Sequence, residues 1–358
     1  MPHLFEPLTL KGVTLPNRIV LSPMCQYSSE DGLANDWHRV HLGRYAASGL
    51  GLIFTEATHV SRIGRITPRC LGLYNDTHEQ ALADIVRFLN TAGTAKTGIQ
   101  LAHAGRKGSM SPPWIGVKPA EGPEAWIAVG PSAVPFDAGW QTPRELDEAG
   151  MAAIAQEFAT AAVRSARAGF DVCELHSAHG YLMHEFLSPI SNRRKDAYGG
   201  SRENRMRFPL QVAEAVRAVW PKDRVLAVRV SSSDYMGDEG WTLDDTIAYV
   251  GALRERGVDI IDCSGGGSSP KQKPELKPGY QVPFAEAIRK RAGIPTMAVG
   301  LITDARQADA IIREGRADAV AIGRALLNDP MWAWRAADTL GAEVAVPNQY
   351  LRGRRLAV

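Results

Sequence analysis

Eight short apolar runs, each four to six residues long and separated by stretches of helical periodicity, constrain this chain more than any other feature. They are Arg18 to Pro23, Leu52 to Ala57, Gly98 to Ala102, Asp171 to Leu175, Val225 to Val230, Asp259 to Cys263, Thr296 to Gly300 and Ala319 to Ile322. Runs apolar at successive positions need cover on both faces, and alternation with helices supplies it through repeated βα units around a parallel sheet. Eight such units suit a closed (β/α)8 TIM barrel, filled inside by side chains and clad outside by helices. The chain has 358 residues, more than the roughly 250 of a bare barrel. Two domains, or one barrel with insertions, would each account for the excess.

The insertions are legible. In Met151, Ile154, Phe158 and Ala162 apolar residues recur at helical spacing, with Asp147 placed to cap the start and Gly169 to end it. Between Ala104 and Gln141 no period persists, while Gly, Pro and Trp (Trp114, Trp126, Trp140) abound. A connection of that length reads as an excursion above the third strand. Gly265 to Tyr280, with its glycine run, reads as a second long loop.

Composition narrows the partners. Lys and Arg number 41 against 39 Asp and Glu, a formal charge of +2 that gives no field for nucleic acid. No stretch approaches the ~20 apolar residues of a membrane span. Glu6, Pro7, Lys11, Pro16 and Arg18 interrupt any apolar signal region. Cys25, Cys70, Cys173 and Cys263 are scattered with no C-x-x-C pair, as expected of thiols in a reducing cytoplasm. Gly49-Leu50-Gly51 precedes its strand rather than following it, so no dinucleotide-binding turn is present.

In a barrel of this kind chemistry sits at the C-terminal strand ends. Arg229, inside an apolar strand, asks for an anion: a bound ligand, or Glu56 or Glu174 in a structural ion pair. Gly300 and Gly323-Arg324 close the seventh and eighth strands, where barrels often hold phosphate, although glycines there also make plain tight turns. His176 and His179, three apart, fit either two metal ligands, with His103 as a third, or two donors to an oxygen that becomes negative, with Tyr181 as proton source. The metal reading would make a barrel hydrolase; a phosphate-ligand carrier without turnover is a third class.

Several motifs together resemble the Old Yellow Enzyme family, in its bacterial xenobiotic-reductase branch. They are Asn17-Arg18 before Ser22-Pro23-Met24-Cys25-Gln26-Tyr27; Gln100-Leu101-Ala102-His103-Ala104-Gly105-Arg106; His176-Ser177-Ala178-His179-Gly180-Tyr181-Leu182; and Ser188 to Arg205 with Asp196-Ala197-Tyr198-Gly199-Gly200-Ser201. The resemblance spans Leu4 to Gly353 and implies one domain over residues 1–358. It implies FMN held by Ser22, Pro23, Met24, Cys25, Ala57, Gln100, Arg229, Ser264, Gly300, Gly323 and Arg324, with Cys25 tuning the flavin and no catalytic metal. It further implies NADPH as reductant and an enone-type substrate, or a nitro compound, whose carbonyl meets His176 and His179, with Tyr181 protonating and Tyr27 as a further contact. A cytoplasmic homodimer or homotetramer is implied as well, the tail from about residue 345 to 358 carrying Arg352 into a neighbour's site. Two departures from the branch are the extension Gly353 to Val358 and Val299 in place of a tryptophan.

Overall fold

The computed structural model describes residues 3–354. Eight parallel strands close into a barrel in chain order: β1 (Ile19–Leu21), β2 (Leu52–His59), β3 (Lys96–Ala102), β4 (Val172–Ser177), β5 (Val225–Ser231), β6 (Ile260–Ser264), β7 (Thr296–Ala298) and β8 (Ala319–Ile322). Each of the eight apolar runs supplies one strand, and helices cover the outside, so the chain is a (β/α)8 barrel.

The barrel interior is graded along its axis. Val20, Leu52, Phe54, Val172, Val225, Ala227, Ile260, Met297, Ala319 and Ala321 fill the lower layers as one apolar cluster. A hairpin absent from the sequence expectation, Leu8–Leu10 with Val13–Leu15, plugs the bottom, and its Val13 and Leu15 join that cluster. Polar residues therefore collect only at the top, where the C-terminal strand ends lie.

Local signals act as expected in the helix Glu148–Ala168. Asp147 accepts from the Gly150 N–H at the start, and Gly169 takes the left-handed conformation (φ 96°) at the end. The buried stripe Met151, Ile154, Phe158, Ala162 faces the sheet. The excursion after β3 contains three one-turn 3-10 helices, Gly105–Lys107, Pro113–Ile115 and Gly122–Glu124. It returns through Val129–Gly130, which pairs with Arg144–Glu145. Among the described residues no helix is long and apolar enough to cross a membrane.

Candidate active site

Register across the barrel wall assembles the polar top layer. Gln100 on β3 lies opposite Glu174 on β4, and Arg229 on β5 lies between His176 on β4 and Asp262 on β6. In-register neighbours of a parallel sheet project to the same side, so these side chains converge. Arg229 Nε sits 3.1 Å from Asp262 Oδ2, as a contact whose N–H is not aimed at the oxygen. Its partner is thus Asp262, not Glu56 or Glu174 as the sequence suggested. Glu174 instead accepts from Gln100 Nε2 at 2.8 Å. Burial, and behind it the Asp262 charge, raises the Glu174 carboxyl to about 8. Glu56 serves the loop after β1: a bulge in β2 between Phe54 and Ala57 sets it where Oε2 accepts from Gln26 N at 3.1 Å and Oε1 meets His38 Nε2 at 3.3 Å.

A cavity of about 250 Å³ opens beside this layer, lined by Ser22, Pro23, Met24, Arg229, Ser264 and Gly300, and by Gly323 and Arg324 on its far side. Eight of the sequence-chosen positions are thereby brought together. Gly300 has φ 123°, and a Cβ there would stand 3.0 Å from the Gln281 nitrogen, so the turn admits glycine and little else. Because the Asp262 contact engages Nε, the outer edge of the Arg229 guanidinium is left for whatever the cavity holds. Gln100 and Ala57 are buried in the adjoining strands and paired in register. A cationic edge against an open, glycine-bordered cavity with an exposed arginine at its rim is a donor set that fits a phosphorylated, electron-accepting ring such as FMN.

His176 and His179 face each other. His176 Nε2 lies 3.3 Å from His179 Nδ1, the rings meeting edge to face at 5.0 Å between centroids. His176 Nδ1 accepts from the Ala178 N–H at 3.2 Å, and His179 Nε2 lies 2.7 Å from Ser264 Oγ. His179 holds φ 60°, followed by Gly180 at φ 70°, and its N–H donates to Ser231 Oγ at 2.9 Å. Burial, reinforced by the Arg229 charge, drives both imidazoles well below their usual range, so they are neutral. The Tyr181 ring stands edge-on to His176 at 5.0 Å, and burial raises its phenol well above the ordinary value.

Cys25, Tyr27 and Tyr181 pack on one apolar cluster with Ile66, Cys70 and Ala104. Burial, then Cys70, pushes the Cys25 thiol well upward. Tyr27 (φ 49°) is met edge-on by exposed Trp114 from the excursion, 5.7 Å away. Arg352 is exposed on the short helix Leu351–Arg354, which packs through Arg354 on Trp334 and Asp338. Within its own chain it does not join the site; residues 355–358 of the expected tail lie outside the described residues.

The sequence reading missed Lys107. Its Nζ donates to His179 O at 2.8 Å and to Gly267 O at 3.2 Å, and sits 5.0 Å from the Tyr181 ring centre. Burial lowers it to about 8. The signal was a lysine directly after Gly105-Arg106 at a strand end. Also missed is the buried brace of His184 Nε2 to Asp234 Oδ1 at 3.0 Å, Asp234 taking the Ser188 hydroxyl at 2.6 Å, which anchors the segment after β4. Among the described residues no three His, Cys, Asp or Glu side chains group as a metal site; the His103 Nδ1 accepts from Gly105 N instead.

Residues 3–343 match the NADH:flavin oxidoreductase / NADH oxidase family. The chain belongs to that family. Its relatives include an NADPH dehydrogenase of Geobacillus thermodenitrificans, 48% identical over 354 residues and aligned over 98% of each chain. Solved structures that it is similar to include morphinone reductase in complex with tetrahydroNAD (28% identity, TM-score 0.78, 97% of this chain and 93% of that one). An old yellow enzyme homologue from Zymomonas mobilis follows (26% identity, TM-score 0.76, 96% and 94%). As a member of this flavin oxidoreductase family the chain is an Old Yellow Enzyme-type oxidoreductase whose cofactor is FMN.

Proposed function

We propose that this FMN-dependent enzyme, with NADPH as its reductant, saturates the activated C=C bond of α,β-unsaturated carbonyl compounds, and reduces nitro compounds by the same route. NADPH and acceptor use one pocket in turn, in keeping with the missing dinucleotide-binding turn. The observation that carries the reading is the pair of imidazole nitrogens, His176 Nε2 and His179 Nδ1, facing one another 3.3 Å apart beside the Tyr181 ring.

When bound, FMN supplies the chemistry of taking hydride from the nicotinamide and passing it to the acceptor. Ser22, Pro23, Met24, Cys25, Ala57, Gln100, Arg229, Ser264, Gly300, Gly323 and Arg324 would hold it, Arg229 toward the electron-rich end of the ring and Arg324 with the two glycines toward the phosphate. Cys25 would adjust its potential. His176 and His179 donate to the carbonyl oxygen as negative charge develops there, a type of contact whose loss costs ~3 kcal/mol of barrier. Tyr181 holds its proton at neutral pH because burial raises its phenol, and gives it to the α-carbon. Tyr27 bounds the acceptor side. Arg352 completes the site of a neighbouring subunit in a homodimer or homotetramer.

Steady NADPH oxidation with cyclohexenone under nitrogen, with cyclohexanone as the product, tests the activity. Replacing both histidines with alanine is expected to abolish cyclohexenone turnover while the protein keeps its yellow cofactor. Full turnover in that double variant would refute the reading.

A further inference from the structure

The proton positions on the two imidazoles pose a problem that Ser264 solves. His176 Nδ1 accepts the Ala178 N–H, so the His176 proton is on Nε2. That N–H points at His179 Nδ1, 3.3 Å away. In the resting site His179 therefore receives it on Nδ1 and carries its own proton on Nε2, directed at Ser264 Oγ at 2.7 Å. An incoming carbonyl then finds one donor, not two. A second donor requires the His179 proton on Nδ1, with Nε2 bare and needing a donor of its own. A histidinium would supply both, but burial and the Arg229 charge hold this ring neutral.

We infer that Ser264 is a positioning residue whose hydroxyl turns from acceptor to donor and so fixes the proton of His179 on the nitrogen that faces the substrate oxygen. Water takes one proton from Nε2 and gives one back to Nδ1, so the ring stays neutral and no net proton is gained or lost. A hydroxyl donates and accepts from a single rotating oxygen, which suits both states; an alanine methyl suits neither. Ser264 is buried, and among the described residues its side chain's hydrogen bond is to His179. Buried on β6 at the cavity edge, it ties the nitrogen pair to the cofactor side of the pocket. The inference rests on His176 and His179 being the donors to substrate oxygen.

The test is ring ¹⁵N spectroscopy of the histidine-labelled holoenzyme, free and with 4-cyanophenol, whose phenolate oxygen stands in for the enolate. The expected result is a His179 proton on Nε2 in the free enzyme and on Nδ1 in the complex. Ser264→Ala is expected to lose that exchange, to bind 4-cyanophenol about tenfold more weakly, and to slow the acceptor half-reaction about tenfold, below the full effect of losing a donor. Ser264→Thr, which keeps the hydroxyl, is expected to restore both the exchange and the binding of 4-cyanophenol. A His179 proton that stays on Nε2 in the wild-type complex overturns the inference, as does a Ser264→Ala enzyme identical to wild type. If 4-cyanophenol moves neither histidine signal, the donor reading itself fails.

Discussion

Arg229 Nε and Asp262 Oδ2 lie 3.1 Å apart across one rung of the barrel wall, in register between β5 and β6. Both side chains are buried, and neither Asp262 oxygen has a hydrogen-bond donor aimed at it. Glu174 is buried too, and its carboxyl is raised chiefly by burial and then by the Asp262 charge. The Arg229 guanidinium touches Asp262 and acts on Glu174 only through its charge, so two buried acids face one cation and cannot both ionise cheaply. Removal of one acid should let the other take over the negative charge.

The consequence is a coupling measurable by a double-mutant cycle. Asp262→Asn is expected to cost the apoprotein about 1–2 kcal/mol, because Glu174 ionises in compensation, whereas Asp262→Asn with Glu174→Gln leaves Arg229 unpaired and costs about 3–5 kcal/mol. Urea unfolding of the four proteins reads the difference. Simple additivity of two small effects would show that the acids do not share the charge.

Stability should also carry a signature in pH. Burial raises Glu174 and Glu185 from 4.5 to about 8. A carboxyl with a raised folded pKa binds its proton more tightly when folded, so its contribution is whole below 4.5 and is lost as the pH climbs to about 8. His41 and His59, lowered by burial to about 4, act oppositely: they remain neutral in the fold where the open chain would protonate, so stability grows as pH rises to 6.5. The urea midpoint is therefore expected to peak near pH 6, about where the two limbs cross, and to fall toward pH 8. Glu174→Gln should flatten the alkaline limb; a midpoint that climbs from pH 6 to 8 contradicts the assignment.

Tyr181→Phe separates proton donation from cofactor chemistry. Acid catalysis of this kind contributes roughly 10²- to 10⁴-fold, so the acceptor step should slow by that order while flavin reduction by NADPH keeps its rate. Stopped-flow absorbance resolves the two half-reactions. Equal loss in both would assign Tyr181 to packing against His176.

What the sequence made legible follows the range of each signal. Strands declared themselves by continuous apolar runs, and the helix from Glu148 to Ala168 by caps and period, because those signals are local. Arg229 stood out because a charge inside an apolar run is costly. Its partner did not: Asp262 is a second charge inside the run Asp259 to Cys263, but that it faces Arg229 is set by the register of β5 with β6, which no local signal carries. Glu56 misled for a related reason: the bulge in β2 turns it toward Gln26 and His38. Lys107 needed the excursion to fold back over His179 before its role could be seen. The hairpin from Leu8 to Leu15 was too short to register as strands.

The loops after β4 and β6 touch backbone to backbone, and that contact sets His179. A Cβ on Gly267 (φ 99°) would lie 2.2 Å from the His179 carbonyl carbon, and one on Gly180 (φ 70°) would lie 2.0 Å from the Gly267 oxygen. Lys107 clamps the same junction by donating to both the His179 and Gly267 carbonyls. Gly267→Ala must then push the loops apart as well as strain a left-handed position, which displaces the His179 ring from His176. A shift of about 1 Å at a reacting centre can cost 10²-fold, so the acceptor step is expected to fall by about that factor. The melting temperature should drop only a few degrees, since the barrel core is untouched. Flavin content, melting temperature and acceptor kinetics of Gly267→Ala check this together. Wild-type acceptor kinetics in that variant would show that the glycine contact does not govern where His179 points.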